Sequence, residues 1–329
     1  ENLSVVVWYE NGTFKKNVSW DNINWLSVKY VGVKNQFGVG GFYRKYGAII
    51  YCPNSTLDKK LYEKPLWLVF IKFYAKVNGA WYEAYITNNI AKTPRLFERE
   101  PCSGKVAGEW EIGWNGTLTY AGKEFPVYVG LRAKRCSPLM KIKVNVTTPI
   151  SLEAHAIEFQ LYLNPYYADM AKKNVRYVRL YFENGSYTDY DVNQAMDFSV
   201  LPNMTTSFSF LNEYKNVTVN TLDFSDVFGM NGTNVAKIEQ VTLPNGVQTY
   251  VVKVGSILGI LNAGETFSVD PAFTIPSKAS VMWENIGFEG AYDVKADLTV
   301  NLTKWNGEVF LTCLLYTSPS PRDLSTSRM

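Results

Sequence analysis

Leu66-Trp67-Leu68-Val69-Phe70-Ile71-Lys72-Phe73-Tyr74-Ala75-Lys76-Val77, then Asn78-Gly79, then Trp81-Tyr82-Glu83-Ala84-Tyr85-Ile86, is two strand-forming runs joined by the pair a tight hairpin needs. Bulky and aromatic residues fit the pleated surface of a sheet. Asn-Gly is preferred in a type I′ turn because both central residues there take positive φ. Seven Asn-Gly pairs punctuate the chain. Val5 to Tyr9, Asn11-Gly12 and Phe14 to Trp20 read as a second hairpin. Trp110 to Trp114, Asn115-Gly116, Thr117 to Tyr120, Ala121-Gly122 and Phe125 to Leu131 read as a three-strand meander. Lys141 to Thr147 alternates polar and apolar residues, the mark of a half-buried strand. The best helix candidate, Pro165 to Asn174, is short. These readings predict an all-β protein of antiparallel sandwiches with little helix.

An internal repeat organises the strands. Val5 to Phe14 aligns without gaps on Val178 to Tyr187, and Val144-Asn145-Val146-Thr147 is echoed by Val300-Asn301-Leu302-Thr303. Two tandem Ig-like sandwiches follow as the expectation, residues 1–150 and 151–313, each opening on a hairpin. Ala156 to Leu163 alternates ahead of the second hairpin, with no counterpart ahead of the first. A sandwich short of one strand leaves an open edge that a strand from another molecule can fill.

Composition narrows the class. The chain has 329 residues, 47% hydrophobic and 19% charged, with a net charge of +3. That is enough apolar surface for a core and too little charge for disorder. No Lys/Arg run exceeds two residues, which argues against a nucleic-acid partner. The longest uninterrupted apolar run, Leu66 to Ile71, falls far short of the ~20 residues a membrane span needs. Because the chain opens on Glu1, without Met or a basic-then-apolar leader, it is expected to be either a mature product or an incomplete reading frame.

Glycosylation is the strongest signal. Asn-x-Ser/Thr sequons start at Asn2, Asn11, Asn17, Asn54, Asn115, Asn145, Asn184, Asn203, Asn216, Asn231 and Asn301. With 27 Asn and 43 Ser plus Thr, chance gives about 3.5 such sites against eleven present. Four are Asn-Gly-Ser/Thr, at Asn11, Asn115, Asn184 and Asn231, where a hairpin tip lets a bulky glycan leave. Covalent N-glycans and an extracellular or cell-surface location are the consequent expectations.

Chemistry is otherwise sparse. His155 is the single histidine, and no zinc, phosphate-loop or serine-hydrolase motif is present, so an enzyme is not expected. Of the four cysteines, strand parity brings Cys52 and Cys102 to the same end of a sandwich, which makes them the disulfide candidate. No cofactor is required. Asp189, Asp191 and Asn193 have the one-three-five spacing of a Ca2+ loop, although Gln194 and Val200 depart from the EF-hand pattern. Trp20, Trp25, Trp81, Trp110, Trp114, Trp283 and Trp305 offer rings for a sugar-binding platform or for core packing.

Rich in Tyr and Asn, low in charge and dense in sequons, the chain resembles archaeal secreted surface and filament glycoproteins. Leu314 to Met329 resembles translated sequencing-adapter read-through, which implies a non-native tail at 314–329. The surface-protein resemblance implies a structural subunit of an extracellular filament, sheath or surface layer whose partners are copies of itself. The expected polymerisation strand carries Val5, Val7 and Tyr9. The alternatives are a secreted adhesin or carbohydrate-binding β-sandwich, and a coat or spike protein of an archaeal virus.

Overall fold

The computed structural model describes residues 3–274 except 36–37, 45–46, 54–66, 91–92, 101–107, 136–138, 164–175, 183, 192–196, 199–204, 212–214, 216, 224–226 and 228–231. The helix candidate at 165–174 and the tail at 314–329 lie outside these residues. Strands of the first half are β1 (Ser4–Tyr9), β2 (Phe14–Lys16), β3 (Val28–Lys34), β4 (Gly38–Tyr43), β5 (Ala48–Pro53), β6 (Trp67–Val77), β7 (Ala80–Tyr85), β8 (Arg95–Glu100), β9 (Glu109–Tyr120), β10 (Lys123–Lys134) and β11 (Leu139–Thr147). The second half supplies β12 (Ala154–Leu163), β13 (Tyr177–Phe182), β14 (Tyr187–Asp191), β15 (Asp197–Phe198), β16 (Thr205–Leu211), β17 (Val217–Asp223), β18 (Thr233–Thr242), β19 (Gln248–Leu258), β20 (Thr266–Val269) and β21 (Ala272–Thr274). Among the described elements, helix is confined to the four-residue α1 (Ile86–Asn89) and two 3-10 turns at Trp20–Asn22 and Trp25–Ser27. None of these helices is long and apolar enough to cross a membrane.

All the strand pairs are antiparallel and form two sheets. Sheet A runs β15-β18-β19-β12-β6-β5-β4-β3-β1-β2, with β7 also on β6. Sheet B runs β14-β13-β16-β17-β21-β11-β10-β9-β8, with β20 also on β11. The inner faces share one core. Trp67, Val69, Ile71, Phe73 and Ala75 alternate inward from β6, Ile157, Phe159 and Leu161 from β12, and Ile112, Trp114, Leu118 and Tyr120 from β9. Each large side chain withdrawn from water contributes about 1.5–3 kcal/mol. Tyr120 keeps its hydroxyl satisfied by donating to the Phe73 carbonyl of the opposite sheet at 2.8 Å.

Residue 150 lies on the link between β11 and β12, and the strands on either side of it each contribute to both sheets. The halves are joined strand to strand. β12 pairs with β6 over ten residues, Ala154 opposite Lys76 through Leu163 opposite Trp67. β11 pairs with β20 and β21. Two separately closed Ig-like sandwiches are therefore not what the pairing builds; the described strands make one wide sandwich with a common core. Ala156 to Leu163, read as an extra strand of the second half, is the strand that welds the halves in sheet A.

The expected donor strand is also placed differently. β1 lies between β2 and β3, and Val5, Val7 and Tyr9 are buried against Ile23, Val28 and Val31. No edge of β1 is open, so these three residues serve the chain's own core. The two hairpins matched in sequence do correspond: β1–β2 ends sheet A and β13–β14 ends sheet B. In each, the glycine takes positive φ, at Gly12 and Gly185, and the asparagine before it does not, while the Asn Oδ1 accepts from the main-chain N–H of Thr13 or Ser186. Asn245-Gly246 repeats the arrangement. These are not the expected type I′ turns, whose two central residues both need positive φ. Asn78-Gly79 and Ala121-Gly122 have both residues at positive φ, as type I′ requires.

The expected meander is a hairpin. Asn115-Gly116 lies inside β9 and is paired with Tyr128 and Val127 rather than turning the chain. Glycine is needed at 116 because the end of α1 crosses it: a Cβ there would strike the Asn89 carbonyl oxygen and come within 2.8 Å of the Ile90 Cα.

Candidate functional site

The outer side of sheet A carries the most chemically varied surface among the described residues. Inward positions of β6 are fully buried, so Leu68, Phe70, Lys72, Tyr74 and Lys76 point outward. Cross-strand register then fixes their neighbours. Tyr74 stands beside Glu83 of β7 and Ala156 of β12, Lys72 beside Tyr85 and Glu158, and Phe70 beside Gln160. One strand further, Lys253 of β19 faces Gln160 and Gly255 faces Glu158. β18 adds Lys237 and Glu239.

These side chains are tied together. The Tyr85 hydroxyl donates to Gln160 Oε1 at 3.1 Å, and the Gln160 amide donates in turn to Glu158 Oε1. Tyr74 also donates to Glu158 Oε1, at 3.5 Å. Phe70 packs edge-on against Tyr85 and Tyr162, with ring centroids 6.2 and 5.5 Å apart. The Lys72 ammonium sits 4.6 Å from the centre of the Tyr85 ring and 3.2 Å from Glu83 Oε1. Lys253 and Lys237 both bind Glu239.

Electrostatics make this face neutral and poor in reactive groups. Burial alone would lower the Lys72 pKa; its hydrogen bond to Glu83 and the nearby phenols and carboxylate outweigh that and raise it. Burial first, and the Glu158 charge second, push Tyr74 up to about 12. Burial raises Tyr162 in the same way. Hydrogen bonds from Lys237 and Lys253 lower the Glu239 pKa. At neutral pH the Tyr74 and Tyr162 phenols are therefore donors and Lys72 a cation, and Lys72, Lys237 and Lys253 each have a carboxylate partner.

A second polar cluster lies outside sheet B. Glu111 of β9 is fully buried and accepts from Arg99 at 2.6 Å and from Tyr128 and Arg132. Burial would raise its pKa, and these three donors more than reverse that, holding the carboxylate ionised. Gly113 and Gly130 flank it: a Cβ on Gly113 would meet the Tyr128 hydroxyl, and one on Gly130 would come within 3.0 Å of the Glu111 carboxyl. Both arginines and the phenol are committed to one buried acid, so this cluster fastens β8, β9 and β10.

Residues singled out from the sequence are scattered. Asn11, Asn17, Asn115 and Asn184 are exposed, and Asn145 is half-buried with its Oδ1 accepting from Ser268 at 2.8 Å. Asn2, Asn54, Asn203, Asn216, Asn231 and Asn301 lie outside the described residues. Asn115 and Asn145 share one row on the outside of sheet B, on either side of Tyr128. The sequons of sheet A stand at strand ends, with Asn11 on the β1–β2 turn and Asn17 directly after β2, and β6, β7, β12 and β19 contain none. Asp189 and Asp191 lie on β14 rather than a loop and are ion-paired. Asp189 accepts from Arg179 at 2.7 and 3.0 Å and lies 3.1 Å from Lys215; Asp191 is 2.7 Å from Arg176. Asn193 and Cys102 lie outside the described residues, and Cys52 falls in β5 opposite Val39.

The tryptophans do not form one platform. Trp114 is core, Trp20 and Trp25 pack on each other at 5.2 Å, and Trp110 is half-buried against the core. Trp81 is 48% exposed, and Trp283 and Trp305 lie outside the described residues. The aromatic surface on sheet A is instead made of Tyr and Phe, which the search for tryptophans passed over. Its signal in sequence was the outward phase of Phe70-x-Lys72-x-Tyr74 and of Glu158-x-Gln160-x-Tyr162.

No protein-family model and no curated protein matches the chain. Several solved structures are similar to it. A putative aldose 1-epimerase from Klebsiella pneumoniae subsp. pneumoniae is 9% identical over 85% of this chain and 84% of its own, with a TM-score of 0.42. A galactose mutarotase-like protein from Clostridium acetobutylicum is 8% identical over 77% and 97%, with a TM-score of 0.37. A family GH36 alpha-galactosidase from Geobacillus stearothermophilus is 10% identical over 76% and 40%, with a TM-score of 0.40. The chain thus spans about two fifths of the length of the alpha-galactosidases it matches.

Proposed function

We propose that this is a secreted, N-glycosylated, carbohydrate-binding β-sandwich protein whose ligand lies on the outer side of sheet A. The observation that carries the reading is the Tyr85–Gln160–Glu158–Tyr74 chain of hydrogen bonds, set among half-exposed rings. Aromatic side chains combine a flat apolar body with a polar tip, which suits the apolar face of a pyranose ring. Fixed amide and carboxylate groups supply the directional bonds that distinguish hydroxyls. Among the described residues, the two donors to Glu158, Tyr74 and the Gln160 amide, reach the same oxygen, Oε1, and Oε2 is the oxygen offered to a ligand hydroxyl. The pairing of Lys72 and Lys253 with glutamates suits a neutral saccharide. Placement of sequons supports the same face. A glycan on Asn115 or Asn145 would cover sheet B, whereas β6, β7, β12 and β19, the strands of the proposed site, contain no sequon.

A filament or surface-layer subunit is the second reading, supported by the exposed sequons. With β1 enclosed, strand addition would have to use an outer strand such as β2, β8 or β14. Titration of the glycosylated protein with a panel of neutral mono- and disaccharides, followed by NMR or calorimetry, tests the first reading. Binding that weakens at least about tenfold in Tyr162→Ala and Glu158→Gln, with the thermal midpoint kept, is expected. Absence of saccharide binding, or equal binding by the variants, contradicts it.

A further inference from the structure

Beside the polar cluster, the same face of sheet A changes character. Moving along the strands from Glu158 toward the start of β12, the outward residues become Ala156 and Ala154. Next to Ala156 stand Tyr74 on one side and Ile257 on the other; next to Ala154 stands Lys76, followed by Trp81 of β7. Ile257 is 44% exposed and Trp81 48%, both high for large apolar side chains on a sheet. Ile260, just beyond β19, is 70% exposed. Ala154 and Ala156 thus form a low floor on β12, between Tyr74 and Lys76 of β6 and Ile257 of β19. From β6 to β19 it spans two strand spacings, about 10 Å. It is continuous with the hydrogen-bonded cluster: Tyr74 belongs to both, giving its ring to the floor and its hydroxyl to Glu158.

We propose that the ligand is a glycoside with an apolar aglycone, its sugar on Glu158, Gln160 and Tyr85 and its apolar group on Tyr74, Ala156, Ile257 and Trp81. This rests on the saccharide reading and adds an occupant for the apolar half of the face. Charge decides against an ionic occupant of that half. Lys76 lies 4.0 Å from Glu153, and Glu83 is held by Lys72, so the charges at its rim are balanced.

The test compares methyl and hexyl glycosides of glucose, galactose and mannose, below any micellar concentration, with 1-hexanol as a sugar-free probe. Five added methylenes laid on apolar surface should tighten binding at least about tenfold for whichever sugar is accepted. Ile257→Asp and Trp81→Ala, both at exposed positions, should remove that gain while methyl glycoside affinity stays within about twofold. Equal affinity for methyl and hexyl glycosides overturns the proposal and leaves the saccharide reading standing. A hexyl gain that survives in both variants also overturns it, because the apolar group then lies elsewhere. Binding of hexanol without any glycoside, or of no probe at all, overturns both readings.

Discussion

Glu111 and His155 set how this protein should respond to acid. Glu111 is a buried carboxylate whose pKa is lowered in the fold, so the stability it confers is complete above its ordinary value of 4.5 and is lost as pH falls below it. His155 points into the core between Phe73 and Phe267, its Nδ1 bonded to the Gly259 carbonyl at 2.8 Å. Burial lowers its pKa, and the bond to Gly259 opposes this only in part. The unfolded chain therefore takes up a proton first, near 6.5, and the fold loses stability as pH drops from there toward the lowered folded value. Both groups act in the same direction. Thermal melts should show a midpoint flat above pH 7 and falling from pH 6.5 to 4; His155→Gln should flatten the upper part of that decline. Glu111→Gln should cost about 3–5 kcal/mol at pH 7, because two arginines and a phenol lose their buried anion. A Glu111→Gln melt within 1 °C of the parent would show the cluster to be idle. None of this was legible in the sequence, where Glu111 was one of thirty acids and its partners came from the two strands beside its own.

Among elements, β9 shows where sequence reading succeeds and where it stops. Asn115-Gly116 carries both a sequon and the dipeptide of a hairpin turn, yet the strand runs straight through it. Ile112, Trp114, Leu118 and Tyr120 keep one even phase across the pair, and that unbroken alternation was the better guide. A turn would have reset it. Gly116 is small because α1 crosses it, a long-range contact that no local pattern announces. Gly116→Ala should therefore destabilise by about 1–3 kcal/mol, as overpacking does, while Gly12→Ala, with open space around its missing Cβ, should act only through its left-handed backbone. NMR spectra of the two folded variants separate these mechanisms: proton shifts at Ile90 and Trp114 are expected for the first and shifts confined to the tip for the second. The repeated hairpins were legible because each is closed by local chemistry, an Asn side chain capping a glycine turn.

At the scale of the whole molecule, the halves recognised from the repeat meet near residue 150 but are sewn together by β12 on β6 and by β20 and β21 on β11. Strand phase told which side chains face the core, not which strand lies next to which, since pairing across 78 to 135 residues leaves no local trace. The shared core should make unfolding of the glycosylated chain a single calorimetric transition. Two resolved transitions would mean that the halves are independent domains.

The outer side of sheet A is the proposed place where a saccharide binds. Hydrogen exchange of the glycosylated protein, with and without a saturating saccharide, reads both sheets in one experiment. Slower exchange is expected in β6, β7, β12 and β19, with β9, β10 and β11 unchanged. Protection confined to sheet B, or no change in either sheet under conditions where binding is detected independently, would contradict it.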